Sequence, residues 1–149
     1  MSVHSAHTKI TVNTLAKMKA EGEKIACITA YDASFAECVN EVGADVVLVG
    51  DSLGMVVQGL DSTVPVTLDE MVYHTRAVAR GNPRALLMGD MPFMSYCTEE
   101  QALQNAARLM QEGGAHMVKL ETTQGQIGII RRLVDAGVPV CAHLGLRPQ

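Results

Sequence analysis

Val46–Asp51 reads VVLVGD and Ala85–Asp90 reads ALLMGD. In each, four apolar residues run into a glycine and then an aspartate. An apolar run this short and continuous fits a strand buried on both faces, and Gly-Asp marks the point where it ends. The echo covers too little of each unit to demonstrate internal duplication. Similar runs lie on either side, at Ile25–Ala30, Met117–Leu120 and Val138–Ala142.

Amphipathic stretches fill the gaps. The pattern predicts helices over Val12–Glu21, Ser34–Val42, Leu68–Arg80, Thr98–Glu112 and Gln126–Ala136. Asp32 or Ser34 caps the second and Gly43 closes it. Thr67 caps the third, with Gly81 as its stop. Thr98 and Gln101 have capping-box spacing, Gly113-Gly114 ends that helix, and Gly137 ends the last. Strand alternating with helix is the mark of a parallel α/β architecture. Two layouts compete. An open doubly wound sheet of five strands fits the length of 149 residues, whereas a (β/α)₈ barrel typically takes about 250. Length alone favours the open sheet, as one domain over residues 1–149.

Composition narrows the function classes. Apolar residues make up 48% and charged residues 19%, enough to bury a sizeable core. Twelve basic residues against 16 acidic ones exclude the broad basic face of a sequence-independent nucleic-acid binder. No apolar run reaches 18 residues, and MSVHSAHTKITVNTL does not read as a secretory signal, so a soluble cytoplasmic chain is expected. Cys27, Cys38, Cys97 and Cys141 are widely spaced, as reduced structural thiols would be, with Cys27 and Cys141 inside apolar runs. With no Trp, three Tyr and two Phe, the core depends on aliphatic residues and nine Met.

Both layouts place ligands at the carboxyl ends of the strands. Asp32, Asp51-Ser52, Asp90, Lys119 with Glu121, and His143 lie there. Asp51, Asp90 and Glu121 end three successive strands and would share one rim. Neighbouring carboxylates repel unless a cation sits among them, and hard oxygen ligands suit Mg²⁺. Lys119 and Glu121, two apart on a strand, point to the same face and could pair an anionic substrate with the metal. Each has a plainer alternative. Asp32 reads as a helix cap, and His143 could equally be a satisfied buried histidine. Lys119 is the hardest to explain structurally, because an unpaired ammonium in an apolar run is costly. His4, His7, His74 and His116 show no ligand spacing, and GDSLGMVVQG lacks the dinucleotide-binding GxGxxG pattern.

Several blocks carry a resemblance. ITAYDASFA at Ile28–Ala36, VLVGDSLGMVVQGLDSTVPVTLDEMVYHTRAVARG at Val47–Gly81, MGDMPFMSY at Met88–Tyr96, MVKLE at Met117–Glu121 and PVCAHLGLRPQ at Pro139–Gln149 closely resemble the ketopantoate (3-methyl-2-oxobutanoate) hydroxymethyltransferase family, from about Thr11 onward. The resemblance implies a (β/α)₈ barrel of the phosphoenolpyruvate mutase and isocitrate lyase type, here its first four βα units and fifth strand. It implies Mg²⁺ on Asp51, Asp90 and Glu121, and the 2-oxo acid on Asp51, Ser52, Asp90 and Lys119, with His143 close by. It implies 5,10-methylenetetrahydrofolate as co-substrate, a homo-oligomer, and no nucleic-acid or membrane partner. The family's proton-abstracting glutamate has its place beyond Gln149, so the chain is expected to be an N-terminal portion without that base. The competing reading is a receiver-like regulatory module, whose acids and lysine Asp32, Asp51, Asp90 and Lys119 can imitate. A third is another carbon–carbon lyase of the same superfamily.

Overall fold

The computed structural model describes residues 8–82 and 84–149. His4 and His7, and the start of the stretch read for a leader, lie outside them. Five parallel strands form one sheet: β1 (Cys27–Thr29), β2 (Val46–Val49), β3 (Leu86–Asp90), β4 (Met117–Glu121) and β5 (Val140–His143). Their order across the sheet is β1-β2-β3-β4-β5. A doubly wound sheet reverses its strand order at a switch point. Here every strand lies beside its sequence neighbour, as in the wall of a barrel, so the inference from length alone is overturned and a receiver-like order is excluded.

Among the described residues, six helices accompany the sheet: α1 (Val12–Glu21), α2 (Ala33–Glu41), α3 (Leu53–Val56), α4 (Leu68–Gly81), α5 (Glu99–Gln111) and α6 (Ile127–Asp135), with a 3₁₀ turn at Gln124–Gln126. The caps follow the sequence chemistry. Asp32 accepts the Phe35 N–H at 2.8 Å, which confirms it as a cap. Thr67 and Glu70 form a reciprocal capping box on α4. Thr98 caps α5 through the Gln101 N–H, but the Gln101 side chain does not return to it. That side chain accepts from the Cys97 N–H and donates to the Met94 carbonyl, so the box is half made. Gly81 is not a stop but the last residue of α4, and a Cβ there would lie 2.2 Å from the Ala33 carbonyl oxygen. Its missing side chain lets α2 and α4 pack backbone to backbone.

Strand alternation sorts the apolar residues into two cores. Val47, Val49, Leu87, Val118 and Leu120 face the helices and pack with Met71, Val78, Leu109 and Leu133. Val46, Leu86 and Met88 face the other way with Ile10, joined by Leu15 of α1, Leu48, Met117 and Cys141. This second, smaller core lies on the sheet face that a closed barrel would enclose. Burial on both faces holds for β2 and β3. It fails for β1, whose three residues are all exposed, and partly for β5. Both are edge strands here, and an edge has a neighbour on one side only. Cys27 is accordingly exposed rather than core, and all four cysteines are free thiols.

Near the amino-terminal ends of the strands, polar contacts tie neighbouring segments together. Buried Asp45 accepts the Ala26 N–H at 3.0 Å and faces Arg84, which donates to the carbonyls of Gly43 and Ala44. His116 accepts the Leu87 N–H on Nδ1, joining β3 to β4. Among the described residues, no helix is long and apolar enough to cross a membrane.

Candidate active site

At the carboxyl ends the same alternation turns polar. Leu86, Met88 and Asp90 line one face of β3, and Met117, Lys119 and Glu121 line that face of β4, with Asp90 and Lys119 paired in register. The site is therefore the polar top of the smaller core. Asp51, Asp90 and Glu121 are 5%, 2% and 4% exposed. Carboxylates this buried need partners.

Asp90 has the Lys119 ammonium, 2.7 Å from Oδ1 and 2.8 Å from Oδ2. Burial pushes the Asp90 carboxyl up to about 7; Lys119 pulls it down, and Asp51 nearby adds to the rise. Ser52 lies 2.8 Å from the phenol oxygen of Tyr31, at the end of β1. A Cβ on residue 50 would sit 2.8 Å from the Ser52 hydroxyl, so glycine there keeps the hydroxyl in place. Glu121 is in register with His143 on β5, and His143 Nδ1 is 3.5 Å from Glu121 Oε1. That nitrogen is buried and makes no hydrogen bond. The 3.5 Å approach is thus an ion pair only when His143 is protonated, and His143 is not a fully satisfied core histidine.

A residue absent from the sequence argument links the rim. Gln149 Nε2 donates to Asp51 Oδ2 at 2.7 Å and to the Met91 carbonyl at 3.0 Å, and its backbone N–H donates to Glu121 Oε2 at 3.3 Å. Its Oε1 accepts from the Tyr96 phenol. Burial, against a partly offsetting backbone hydrogen bond at Glu121 and reinforced by the Glu121, Asp90 and Asp51 charges, pushes that phenol up to about 12, so it stays protonated. A cavity of about 130 Å³ opens beside Glu121, lined by Phe93, Met94, Tyr96, Gln126 and Arg147 among others. Tyr31 could have been found from its strand-end position. Gln149 could not, because its contact with Asp51 spans 98 residues.

All six candidate residues, Asp51, Ser52, Asp90, Lys119, Glu121 and His143, therefore stand on one rim at the ends of β2 to β5. Among the described residues, no three His, Cys, Asp or Glu side chains stand close enough together to cage a metal by themselves. Mg²⁺ does not require such a cage. It keeps several waters and takes one or two carboxylates directly, and the oxygen donors of this rim fit that preference.

The family described as Ketopantoate hydroxymethyltransferase matches residues 9–149. The chain belongs to that family. The 3-methyl-2-oxobutanoate hydroxymethyltransferase of Alkalilimnicola ehrlichii is 62% identical over 94% of the chain, and that of Marinobacter nauticus 61% over the same share. The chain spans about half the length of these relatives, 50% and 53% respectively. Among solved structures, 2,3-dimethylmalate lyase, of the PEP mutase/isocitrate lyase superfamily, superposes on 87% of the chain with a TM-score of 0.64, covering 51% of its own length. Oxaloacetate acetylhydrolase superposes on 90% with a TM-score of 0.65, covering 52% of its own length. At 14% and 12% identity these two speak for the fold alone. The chain shares the fold of these proteins over about half of their length, with its five parallel strands.

Proposed function

We propose that this chain supplies the substrate- and metal-binding rim of an enzyme that adds a hydroxymethyl group to 3-methyl-2-oxobutanoate, giving 2-dehydropantoate for pantothenate synthesis. The one-carbon donor is 5,10-methylenetetrahydrofolate; water is consumed and tetrahydrofolate leaves. The observation that carries the reading is the pairing of buried Asp90 with part-buried Lys119, flanked by Asp51 and Glu121 on the same rim. Family membership supports this choice of reaction.

The difficult step is loss of the C3 proton, because the negative charge left behind must be stabilised as it forms. Mg²⁺ bound through Asp51 and Asp90, with Glu121 in support, would supply Lewis acidity toward the keto oxygen and carboxylate. Lys119, held by Asp90, offers positive charge to the substrate carboxylate and to the developing oxyanion. Ser52, its hydroxyl fixed by Tyr31, orients the substrate, and His143 borders it. The resemblance assigns proton removal to a glutamate whose place lies beyond Gln149, and no residue of the rim is given that step in the enzyme we propose. By the same resemblance we place that enzyme in the cytoplasm as a homo-oligomer.

Saturation-transfer NMR of 3-methyl-2-oxobutanoate with the chain and Mg²⁺ tests the rim. Binding is expected, and it should be lost in Asp51→Ala. The same sample in D₂O should show no rapid exchange of the C3 proton, in keeping with a base located elsewhere. A folded chain that fails to bind the 2-oxo acid would overturn the assignment.

A further inference from the structure

The geometry points to Gln149 as a positioning residue that holds Asp51 and Glu121 in the orientation needed to receive the cation, with Tyr96 fixing Gln149 in turn. This rests on the metal-binding reading above and adds residues to it.

The hydrogen-bond inventory leaves one arrangement. Asp51, as a carboxylate, and the Met91 carbonyl can only accept, so the amide atom between them must be the nitrogen, with one hydrogen for each. The amide oxygen then faces Tyr96, whose hydroxyl must donate. The backbone N–H of Gln149 is left for Glu121. Each carboxylate thereby has one oxygen held by a fixed donor. Tyr96 is only 7% exposed, so its phenol has little alternative partner in water. A single residue, through its side-chain amide to Asp51 and Met91 and its backbone N–H to Glu121, thus connects the ends of β2, β3 and β4. Outer partners of this kind orient metal ligands, and their loss typically costs about 10- to 100-fold in metal affinity.

The test is Mn²⁺ binding to the chain, read from the free Mn²⁺ signal in electron paramagnetic resonance, with far-UV circular dichroism to confirm folding. Gln149→Met, similar in volume but without side-chain donors, frees Asp51 while keeping the backbone N–H to Glu121, and should weaken binding by about 10- to 100-fold. Tyr96→Phe removes one oxygen and should weaken it less; it carries the test if Gln149→Met fails to fold. The double variant should bind no more weakly than Gln149→Met, because Tyr96 acts through Gln149. A merely structural role would give independent, additive losses. Unchanged affinity in Gln149→Met would overturn the inference and leave the metal site standing. Tighter binding would overturn it as well, by showing that the amide competes with the cation. No binding by the unaltered chain would overturn the metal site itself.

Discussion

Lys119 and Asp90 answer each other's burial, and neither is tolerable alone. Removing one partner of a buried pair typically costs about 3–5 kcal/mol, whereas replacing both with apolar residues can be nearly neutral. Lys119→Met should therefore lower the urea midpoint sharply at neutral pH, and Asp90→Leu combined with Lys119→Met should recover much of the loss. A double-mutant cycle measures this coupling, and additive losses would contradict it. His116 presents a different balance. Desolvation, with Lys9 adding to it, holds its imidazole below the usual 6.5. The neutral ring is the form that accepts from Leu87 N–H. The stabilisation from this bond is complete above pH 6.5 and is lost as pH falls through the lowered folded-state value. His116→Ala should cost about 1 kcal/mol at pH 8, and the gap to the unaltered chain should shrink under acid. A gap independent of pH would show that the ring merely packs.

Among the elements, the sharpest expectation concerns α4. Alanine is ordinarily the better helix former than glycine by about 1 kcal/mol, so propensity favours Gly81→Ala. The 2.2 Å approach of a Cβ to the Ala33 carbonyl opposes it. Overpacking against backbone typically costs about 1–3 kcal/mol, and α2 cannot retreat without disturbing buried Ala36 and Val39. Thermal unfolding should place Gly81→Ala below the unaltered chain, and a gain in midpoint would refute the close packing. The same position shows what local patterns convey. Gly81 reads as a helix stop from its neighbours alone, because nothing in the sequence around it announces the approach of α2. The short helix α3 escaped for a related reason. Four residues carry no periodicity. The Thr67 and Asp32 caps were legible because a cap is satisfied within three residues of itself.

In the whole molecule, the edges of β1 and β5 are the features with largest physical consequence. Ile28 is 46% exposed on β1, and Leu144 and Leu146, just past β5, are 72% and 86% exposed. Unpaired strand edges beside exposed apolar side chains are a template for association. Sedimentation velocity on the 149-residue chain should show concentration-dependent association, and a compact monomer across the concentration range would contradict it.

The sequence by itself determined the strands and most helices, their parallel α/β character, and the rim acids with Lys119. These rest on short-range physics: alternation, caps, and the rule that polar residues ending buried strands face the ligand side. Its ordered blocks also pointed to the family. Strand order belonged to the tertiary structure, because an open sheet and a barrel wall share the same local pattern and differ only in which neighbours pair. The tertiary structure also brought Tyr31 to Ser52, paired His143 in register with Glu121, and set Gln149 between Asp51, Tyr96 and Glu121. Such contacts join residues tens of positions apart. Hydrogen-bond geometry across that distance exists only after the sheet has assembled, and no local feature of the chain encodes it.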